Sequence, residues 1–473
     1  MARVLLVQPP LTFAELFAKG TDEASTISPP LGLAYIAAYL RERGHACVII
    51  DGIAEQVSVD AIAERAAEFD VVGITVLSTF ALRALEIISA IRTRRPRPSI
   101  VVGGAHATAL PEAMVERGAD YVVVGEGEET MFELVESLCS RNRPVDRVRG
   151  LVFRRDGETV HTPPRPFIEP LDRVPMPARN LLPMNRYRDT ILRAPERPSH
   201  SMMTSRGCRG ACTFCHKKTF GTKVRYFTPE RIVEEILLLQ SQYGARHVSI
   251  YDDNFLTDHD FVLAVCEGLR QRAAAVSLSV AGRVDVVNED VLRALKNARC
   301  IKIEYGIESG CQRILDYTSK HITKDGIRRT IRLTKEVGIP SRGFFILGFP
   351  TETAAEMEET IRFALELDMD LASFTLLTPF PGTVDYRRAL HSGTFRDPEY
   401  FHHEIVPDFA FPDNPLYVPE GMTAQELLAV HRQAYRRYYL RPRMVMRRLL
   451  SLRSAQGLRA MAGGALSLVR KRA

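Results

Sequence analysis

The sequence predicts an α/β protein of two units, each built from alternating strands and helices, followed by a helical C-terminal region. Short apolar strands alternate with helices five times in the first third of the chain. Six further strand–helix repeats follow between residues 197 and 385. Such alternation is typical of parallel sheets covered by helices. We therefore expect an N-terminal doubly wound, Rossmann-like sheet and then a partial (β/α)6 barrel that is open on one side.

The predicted domain bounds follow this pattern. They are 1–145 for the doubly wound domain, 146–196 for a linker with a hairpin, 197–385 for the barrel and 386–473 for the C-terminal region. The 473 residues are 45% hydrophobic and 25% charged, as in ordinary globular proteins. No apolar run reaches the ~18 residues that cross a bilayer, and no signal-peptide cleavage site is recognisable. Since eight cysteines also suit a reducing compartment, we expect a cytoplasmic protein.

The N-terminal elements are predicted in alternation. Residues 3–8 form a buried apolar strand that two prolines end. A helix over 29–44 has Pro30 near its start and Gly44 at its C-terminal end. The later elements, a strand and a helix in turn, are predicted at 46–51, 58–68, 70–75, 80–93, 99–103, 111–117, 121–125 and 128–140.

The linker and the barrel follow in the chain. Residues 151–161 predict a hairpin with its turn at Asp156 and Gly157. The Pro- and Arg-rich residues after it predict a strap between the domains that carries no chemistry. The barrel strands are predicted at 200–205, 247–253, 276–284, 301–309, 341–348 and 371–377.

Three cysteines directly after the first barrel strand carry the strongest chemical signal. Cys208, Cys212 and Cys215 have the spacing C-x3-C-x2-C. Three thiols cannot close into disulfide pairs, but three thiolates can hold three irons of a [4Fe–4S] cube and leave the fourth iron open. A zinc knuckle is the alternative, and it would need a fourth ligand such as His216. Because active sites of barrels lie at the carboxyl ends of the strands, we expect this centre there.

With Phe214 before the last cysteine, the triplet resembles the cluster loop of the radical S-adenosylmethionine (SAM) enzymes. The resemblance implies that SAM chelates the open iron and that the reduced cluster cleaves it to a 5′-deoxyadenosyl radical. It also implies an external one-electron reductant of the flavodoxin or ferredoxin type. The ends of the other barrel strands would then form the SAM site.

The same resemblance assigns polar contacts to SAM. Asp253 and Asn254 lie where the family contacts the methionyl amino group, although the family's usual Gly-Gly-Glu is absent here. Arg283 would pair with the methionyl carboxylate, since a guanidinium binds carboxylates with two parallel hydrogen bonds. Glu308 or Ser309 would contact the ribose.

The adenine ring is expected on an apolar face of Ile346 and Leu376. The stretch from Gly343 to Gly348 resembles the family's adenine motif, with Phe344 in place of a usual glycine. Lysines 217, 218 and 223 either balance the charge of the cluster or are solvated; the sequence does not separate these alternatives.

The carboxyl ends of the N-terminal strands carry glycine-rich and polar loops, where such sheets bind ligands. Nicotinamide and nucleotide-triphosphate motifs are absent, which excludes those two readings. Segments 29–34, 102–106 and 125–128 resemble the cobalamin-binding domain that precedes the radical SAM core in one large subgroup. This resemblance implies cobalamin contacts from Thr75, Ser78, Gly103, Gly104, His106, Gly125 and Glu126.

One departure qualifies the expected cobalamin site. Many cobalamin domains use an Asp-x-His-x-x-Gly loop whose histidine ligates cobalt, and no such loop occurs here. The resemblance therefore implies a base-off corrin, with His106 as a hydrogen-bonding loop residue. The alternative is a sheet that has lost cobalamin and packs on the barrel or binds substrate.

The C-terminal region is aromatic and then basic. Residues 427–473 contain twelve Lys or Arg and no Asp or Glu, a composition suited to anionic surfaces. Two helices hinged at Pro442 are predicted to pack on the barrel or to contact a membrane surface peripherally. His402 and His403 are expected at the surface. No nucleic-acid recognition module appears, so a nucleic-acid partner is not expected.

Together these features predict a cobalamin-dependent radical SAM enzyme. The most favoured activity is methylation of an unactivated carbon of a small molecule or lipid. An oxidative ring closure, as in the anaerobic porphyrin-ring cyclases, is the alternative activity. A non-catalytic iron–sulfur or zinc protein with a decayed site is the alternative from another class.

Overall fold

A computed structural model describes residues 1–12, 15, 26–140, 144–187, 196–392, 395, 397, 399–403 and 414–451. Within them the chain forms two large sheets, each packed against helices, and C-terminal helices that cover an edge of the second sheet. The predicted α/β architecture is confirmed. A search of these residues finds no helix with the length and apolarity to span a bilayer.

The N-terminal sheet contains seven strands. They are β1 (Arg3–Gln8), β2 (Ala46–Asp51), β3 (Val71–Thr75), β4 (Ser99–Gly103), β5 (Tyr121–Val123), β6 (Leu151–Arg155) and β7 (Glu158–His161). Their order is β2-β1-β3-β4-β5-β6-β7, with the first five parallel. Strand order reverses between β1 and β3, and ligands of such sheets bind beyond the carboxyl ends at this point.

Helices cover both faces of this sheet. They are α1 (Leu31–Glu42), α2 (Gly52–Glu55), α3 (Val59–Ala66), α4 (Ala81–Arg92), α5 (Ala105–Ala109), α6 (Pro111–Glu116) and α7 (Glu128–Ser140). Alternate residues of β1 point to opposite faces. Leu6 packs in a core with α1 and α7, whereas Leu5 and Val7 pack in a second core with α3 and α4.

The linker differs from its predicted form. Its hairpin, β6 and β7, extends the N-terminal sheet, because β6 pairs antiparallel with β5. The strap that follows joins the domains through buried polar contacts. The Arg179 guanidinium lies 2.6 Å from Glu235 and donates to the Ser201 carbonyl at 2.8 Å. Tyr187 donates to Asp51 at 2.8 Å.

The barrel sheet has six parallel strands in chain order. They are β8 (Ser199–Met202), β11 (His247–Ile250), β12 (Ser277–Arg283), β13 (Cys300–Glu308), β14 (Ser341–Leu347) and β15 (Leu371–Leu376). Within the described residues β8 and β15 form its two edges, as an open barrel requires. Two short strands, β9 (Ser205–Arg206) and β10 (Arg225–Tyr226), pair antiparallel beside it.

The first barrel strand is shorter than predicted for a physical reason. The carboxylate of Asp252 accepts the backbone N–H of Thr204 at 2.7 Å, so this donor is lost to the sheet ladder. The chain then turns and resumes as β9. Helices α8 (Pro229–Tyr243), α9 (His259–Gln271), α10 (Glu289–Asn297), α11 (Gln312–Tyr317), α12 (Lys324–Val337) and α13 (Ala354–Leu367) connect the later strands.

The C-terminal elements close the exposed edge of the barrel sheet. They are α14 (Val384–Ser392), α15 (Tyr400–His403), α16 (Ala424–Tyr439) and α17 (Pro442–Ser451). Hydroxyls of Tyr435 and Tyr439 accept the backbone N–H groups of Phe374 and Ala372 in β15. An unpaired sheet edge invites association, and α16 occupies this one. The predicted break at Pro442 is observed; residues 452–473 of the basic tail lie outside the described residues.

Candidate active site

The cysteine loop follows β9 and folds around two glycines. Gly207 has φ +94°, and a Cβ there would overlap the carbonyl oxygen of Lys223. A Cβ at Gly210 would lie 3.5 Å from the sulfur of Cys208 and 3.6 Å from that of Cys212. The two thiols therefore flank a bare stretch of backbone, which leaves the room that a cluster needs.

The thiols are accessible, since Cys208 and Cys212 are half-buried and Cys215 is exposed. Burial raises the pKa of the Cys212 thiol above its usual value, while the nearby cations of Lys320 and Arg283 act in the opposite direction. Thiols lose their protons when they bind metal. The donor set and its surroundings thus fit an iron–sulfur cluster.

A buried carboxylate anchors the loop from beyond the barrel. Asp385, at the start of α14, has no exposed surface. Its carboxylate accepts the hydroxyl of Thr213 at 2.8 Å and that of Tyr317 at 2.9 Å, and its backbone N–H donates to the Thr213 carbonyl. Arg388 pairs with the same carboxylate at 3.3 Å. Sequence reasoning missed Asp385, because no local signal links it to a residue inside the cysteine motif.

Two cations beside the loop, Arg283 and Lys320, each pair with a carboxylate of the protein. The Arg283 guanidinium makes two hydrogen bonds with Asp285, at 2.9 and 2.8 Å, and donates to the Lys320 carbonyl. Its remaining nitrogen lies 3.9 Å from the sulfur of Cys212. The Lys320 ammonium pairs with Glu308 at 2.5 Å. Arg283 therefore lies beside the cysteine loop with its charge balanced by Asp285, and its predicted pairing with the methionyl carboxylate stays a prediction.

Lys217 is different from the other lysines of the loop. Lys218 is exposed, and Lys223 pairs with Glu169 at 2.6 Å. The ammonium of Lys217 is buried and has no hydrogen-bond partner among the described residues. It lies close enough to Asp253 and Cys215 to lower the pKa of each, against the raising effect of burial. A buried ammonium with no hydrogen-bond partner among the described residues, beside a predicted cofactor site, suits an anionic ligand.

The three polar residues that follow β11 have different environments. Asp252 is buried and bonds Thr204 and Ser205, so it shapes the loop. Asp253 is exposed as a residue, while burial of its carboxyl raises the pKa of that group against the lowering effects of a hydrogen bond from the Gly207 backbone N–H and of Lys217. The amide oxygen of Asn254 accepts the backbone N–H of Arg283 at 3.0 Å. Of the three, only Asp253 is exposed.

The predicted adenine face is apolar. Phe214 lies 5.8 Å from the ring of Phe349, and both belong to a cluster that includes Ile346. Leu376 is buried at the end of β15, in the neighbouring barrel core. The hydroxyl of Ser309 is fully buried and lies 2.9 Å from that of Thr360, which leaves Glu308 as the better of the two ribose candidates.

A glycine allows the backbone to pack closely at the carboxyl ends of the N-terminal strands, where we expect a ligand. Gly104 has φ +99°, and a Cβ there would lie 2.8 Å from the Val76 carbonyl and 3.1 Å from the hydroxyl of Thr75. Gly103 and Thr75 pair at the ends of β4 and β3. The backbone N–H of Gly125 donates to Thr108 at 3.1 Å. These residues form the crevice in which we expected cobalamin.

His106 lies in this crevice with both ring nitrogens engaged. Its Nδ1 is 2.9 Å from the hydroxyl of Ser78, and its Nε2 is 3.0 Å from Nε2 of His402. It is a hydrogen-bonding residue, as the sequence suggested. The expectation that His402 is a surface residue was wrong, because only 4% of it is exposed. His403 is exposed, as expected.

Glu126 makes its contacts away from the expected cobalamin site. Its carboxylate accepts from Arg206 at 2.8 Å, from Arg225 at 2.9 Å and from the backbone N–H of Ile168 at 2.7 Å. Arg206 also pairs with Glu128 at 2.6 Å, and the four charged side chains are 2–4% exposed. These contacts saturate Glu126. The loop after β5 therefore binds the strand that leads into the cysteine loop.

Three polar atoms of one barrel segment, at the junction of the two domains, have no hydrogen-bond partner within the part of the chain that the structure describes. They are His216 Nε2, Lys217 Nζ and Thr219 Oγ1, all buried. The His216 ring is adjacent to Gly382, whose Cβ position would also touch Ala109 of the N-terminal domain. Buried polar atoms in native proteins normally have partners. A polar group bound in this junction would supply them, which fits cofactors that meet between the domains.

Comparisons with known proteins agree with this geometry. A model of the B12 binding domain matches residues 20–135, and a model of the Radical SAM superfamily matches residues 202–364. An uncharacterized methyltransferase of Pyrococcus horikoshii is 34% identical over 450 residues, 94% of each chain. An anaerobic magnesium-protoporphyrin IX monomethyl ester cyclase of Rubrivivax gelatinosus is 28% identical over 93% of this chain and 77% of its own.

A solved structure shows the same fold over nearly the whole chain. It is that of OxsB, a cobalamin-dependent S-adenosylmethionine radical enzyme, with a TM-score of 0.76 and 18% identity, covering 98% of this chain and 70% of that one. Fold and cysteine loop together define a radical SAM enzyme with a cobalamin domain.

The chain belongs to the family of radical SAM enzymes that carry an N-terminal B12-binding domain. Its cofactors are a [4Fe–4S] cluster, SAM and cobalamin, so the zinc knuckle and the cobalamin-free sheet are set aside. It acts on a small-molecule substrate and needs a reductant. The predicted family, fold class and cofactors are confirmed.

Proposed function

We propose that the protein methylates an unactivated carbon of a small molecule, using SAM as the methyl source. The observation that carries this proposal is the direct ion-paired contact between the loop of the N-terminal domain and the strand before the cysteines. This contact joins the loop after β5 to the strand that leads into the cysteine loop, and it supports cofactors that act together at this junction. The 34% identical relative named a methyltransferase supports the same reaction.

Cys208, Cys212 and Cys215 would hold the cluster. When bound, the cluster and SAM supply a 5′-deoxyadenosyl radical, and cobalamin carries the methyl group to the substrate. The protein's task is to place these groups together and to exclude water. Asp385 holds the cysteine loop through Thr213, and the apolar cluster of Phe214 and Phe349 shields it.

For SAM we propose contacts from charged groups that still have capacity. Asp253 would accept the methionyl ammonium, and the buried Lys217 would face the methionyl carboxylate. Arg283, already paired with Asp285, would tune the cluster beside Cys212. Asn254 would hold the Arg283 backbone in place.

The remaining contacts are apolar or belong to the other domain. Glu308 would bind the ribose, and Ile346 and Leu376 would line the adenine site, with Ser309 supporting the turn from behind. In the N-terminal domain Thr75, Ser78 and Gly125 would contact the corrin, while His106 supports Ser78. Gly103 and Gly104 would allow the corrin close to the backbone.

The partners follow from the same chemistry. We propose a flavodoxin or ferredoxin as the one-electron donor. The aromatic C-terminal region, with Phe380, Tyr400 and Phe401 packed together, suits a lipid or a planar substrate. The basic tail would allow peripheral contact with a membrane; nothing in the chain indicates a nucleic-acid partner.

The decisive experiment is anaerobic turnover of the reconstituted protein. Wild-type protein with SAM carrying a labelled methyl group, hydroxocobalamin, a reductant and an extract of its host should yield 5′-deoxyadenosine and a methyl-labelled product. Cys215→Ala should yield neither. A wild type that forms no 5′-deoxyadenosine under these conditions would refute the proposal.

Oxidative cyclisation is the second candidate, because the cyclase relative aligns with 93% of this chain. The same experiment separates the two reactions. A cyclase would form 5′-deoxyadenosine, and its product would have lost hydrogens without gaining label. A methyltransferase product would be heavier by one methylene group and would carry the label.

A further inference from the structure

A continuous chain of hydrogen bonds runs from the cobalamin crevice to the C-terminal region. The hydroxyl of Ser78 lies 2.9 Å from His106 Nδ1, and His106 Nε2 lies 3.0 Å from His402 Nε2. His402 Nδ1 lies 2.8 Å from the carboxylate of Glu399, which also pairs with Arg117. His106 and His402 are 1% and 4% exposed. Their contact joins residues 296 positions apart in the sequence.

The carboxylate of Glu399, at one end of this series of hydrogen bonds, determines which group donates in each of them. An ionised carboxylate can only accept, so His402 must donate from Nδ1 to Glu399. A neutral His402 then has an unprotonated Nε2, which must accept from His106. His106 is thereby protonated on Nε2, and its bare Nδ1 must accept the hydroxyl proton of Ser78. The pKa of both imidazoles is lowered, because burial disfavours their charged forms.

Ser78 at the other end is half-buried, at the carboxyl end of the N-terminal sheet. Its proton is used in the hydrogen bond to His106, so its oxygen has only acceptor capacity left for a ligand. The rim of a corrin ring carries amide side chains, and their N–H groups need acceptors.

We propose that His402 is a positioning residue for cobalamin. Through His106 it holds Ser78 as a fixed acceptor for an amide N–H of the corrin. The proposal rests on the cobalamin site described under Proposed function. It assigns to residues 399–402 of the C-terminal region a part in binding a cofactor of the N-terminal domain, so that this segment and the cobalamin crevice form one unit.

The test uses the full chain with its cluster reconstituted and hydroxocobalamin as the probe. His402→Phe keeps a ring of similar volume but removes the acceptor for His106. We expect its dissociation constant for hydroxocobalamin to rise about tenfold, the equivalent of one hydrogen bond. His402→Gln can still accept from His106 and donate to Glu399, so it should restore most of the affinity. His403→Phe, at the exposed neighbour, is the matched control and should bind like wild type.

A second readout follows the proton itself. Nitrogen-15 NMR of histidine-labelled protein, with the His106 signals assigned through His106→Gln, should show Nε2 protonated and Nδ1 bare in wild type. His402→Phe should populate the other tautomer. A structural defect alone would not exchange these two signals.

Three results would overturn the proposal. They are unchanged affinity in His402→Phe, equal loss in His403→Phe, and a wild-type His106 protonated on Nδ1. A wild type that binds no hydroxocobalamin would refute the proposed cobalamin site as well. The tautomer measurement needs no cobalamin, so it separates failure of the hydrogen-bond chain from failure of the proposed function.

Discussion

Replacing Arg206 by methionine tests whether buried charges join the two domains. Methionine keeps most of the apolar stem but removes the ion pairs with Glu126 at 2.8 Å and Glu128 at 2.6 Å. Breaking a buried pair by removing one partner costs about 3–5 kcal/mol, because the remaining charge stays out of water. Since Arg225 still holds Glu126, we expect a loss near the lower end, about 3 kcal/mol.

Urea unfolding of the purified protein measures this loss. With a slope of about 3 kcal/mol per molar urea, the midpoint should fall by about 1 M.

Arg270→Met is the matched control. Arg270 pairs with Glu267 at 2.7 Å, but 63% and 46% of the two side chains are exposed. Water and counterions solvate such pairs, so this substitution should leave the midpoint unchanged. Similar midpoints for the Arg206 and Arg270 variants would refute the reasoning that burial, rather than the ion pair itself, makes Arg206 important.

Three further predictions concern the barrel. Asp385→Asn should lower the iron content after reconstitution several-fold, as measured by iron and sulfide analysis, because the cysteine loop loses its charged anchor; wild-type iron content would contradict this role. Lys217→Met should weaken SAM binding about tenfold by equilibrium dialysis, the equivalent of one hydrogen bond to a charged group, whereas Lys218→Met should not; equal affinities of the two variants would exclude Lys217. Burial raises the pKa of Glu352 to about 8, so the folded protein holds a proton that the unfolded chain releases above pH 4.5, and stability should fall as pH rises from about 5 to 8. Glu352→Gln should flatten that decline in the urea midpoint, and an unchanged slope would contradict the assignment.

The elements of both sheets could be predicted from the sequence because local signals agree with the fold. Strands β1, β2 and β4 have the predicted bounds, since each is a short apolar run ended by proline, glycine or an acid. The cysteine triplet is equally local. Its ligands lie within eight residues, so spacing alone carries the chemistry.

The supports of the site could not be predicted, because they come from distant parts of the chain. Asp385 and His402 have no motif around them, and their roles depend on contacts made 172 and 296 positions away. Glu126 stands in a segment that resembles the cobalamin domain, yet its carboxylate is turned toward Arg206. A motif identifies the loop, whereas only the packed structure shows which ligand each side chain of the loop already has.

The anchoring of Thr213 by Asp385 has a consequence for how the enzyme matures. A ribosome must add 172 more residues after Thr213 before its anchor exists. The nascent cysteine segment is therefore made before the carboxylate that holds its Thr213. Iron and sulfide that bind before residue 385 is made would therefore meet a loop without this support.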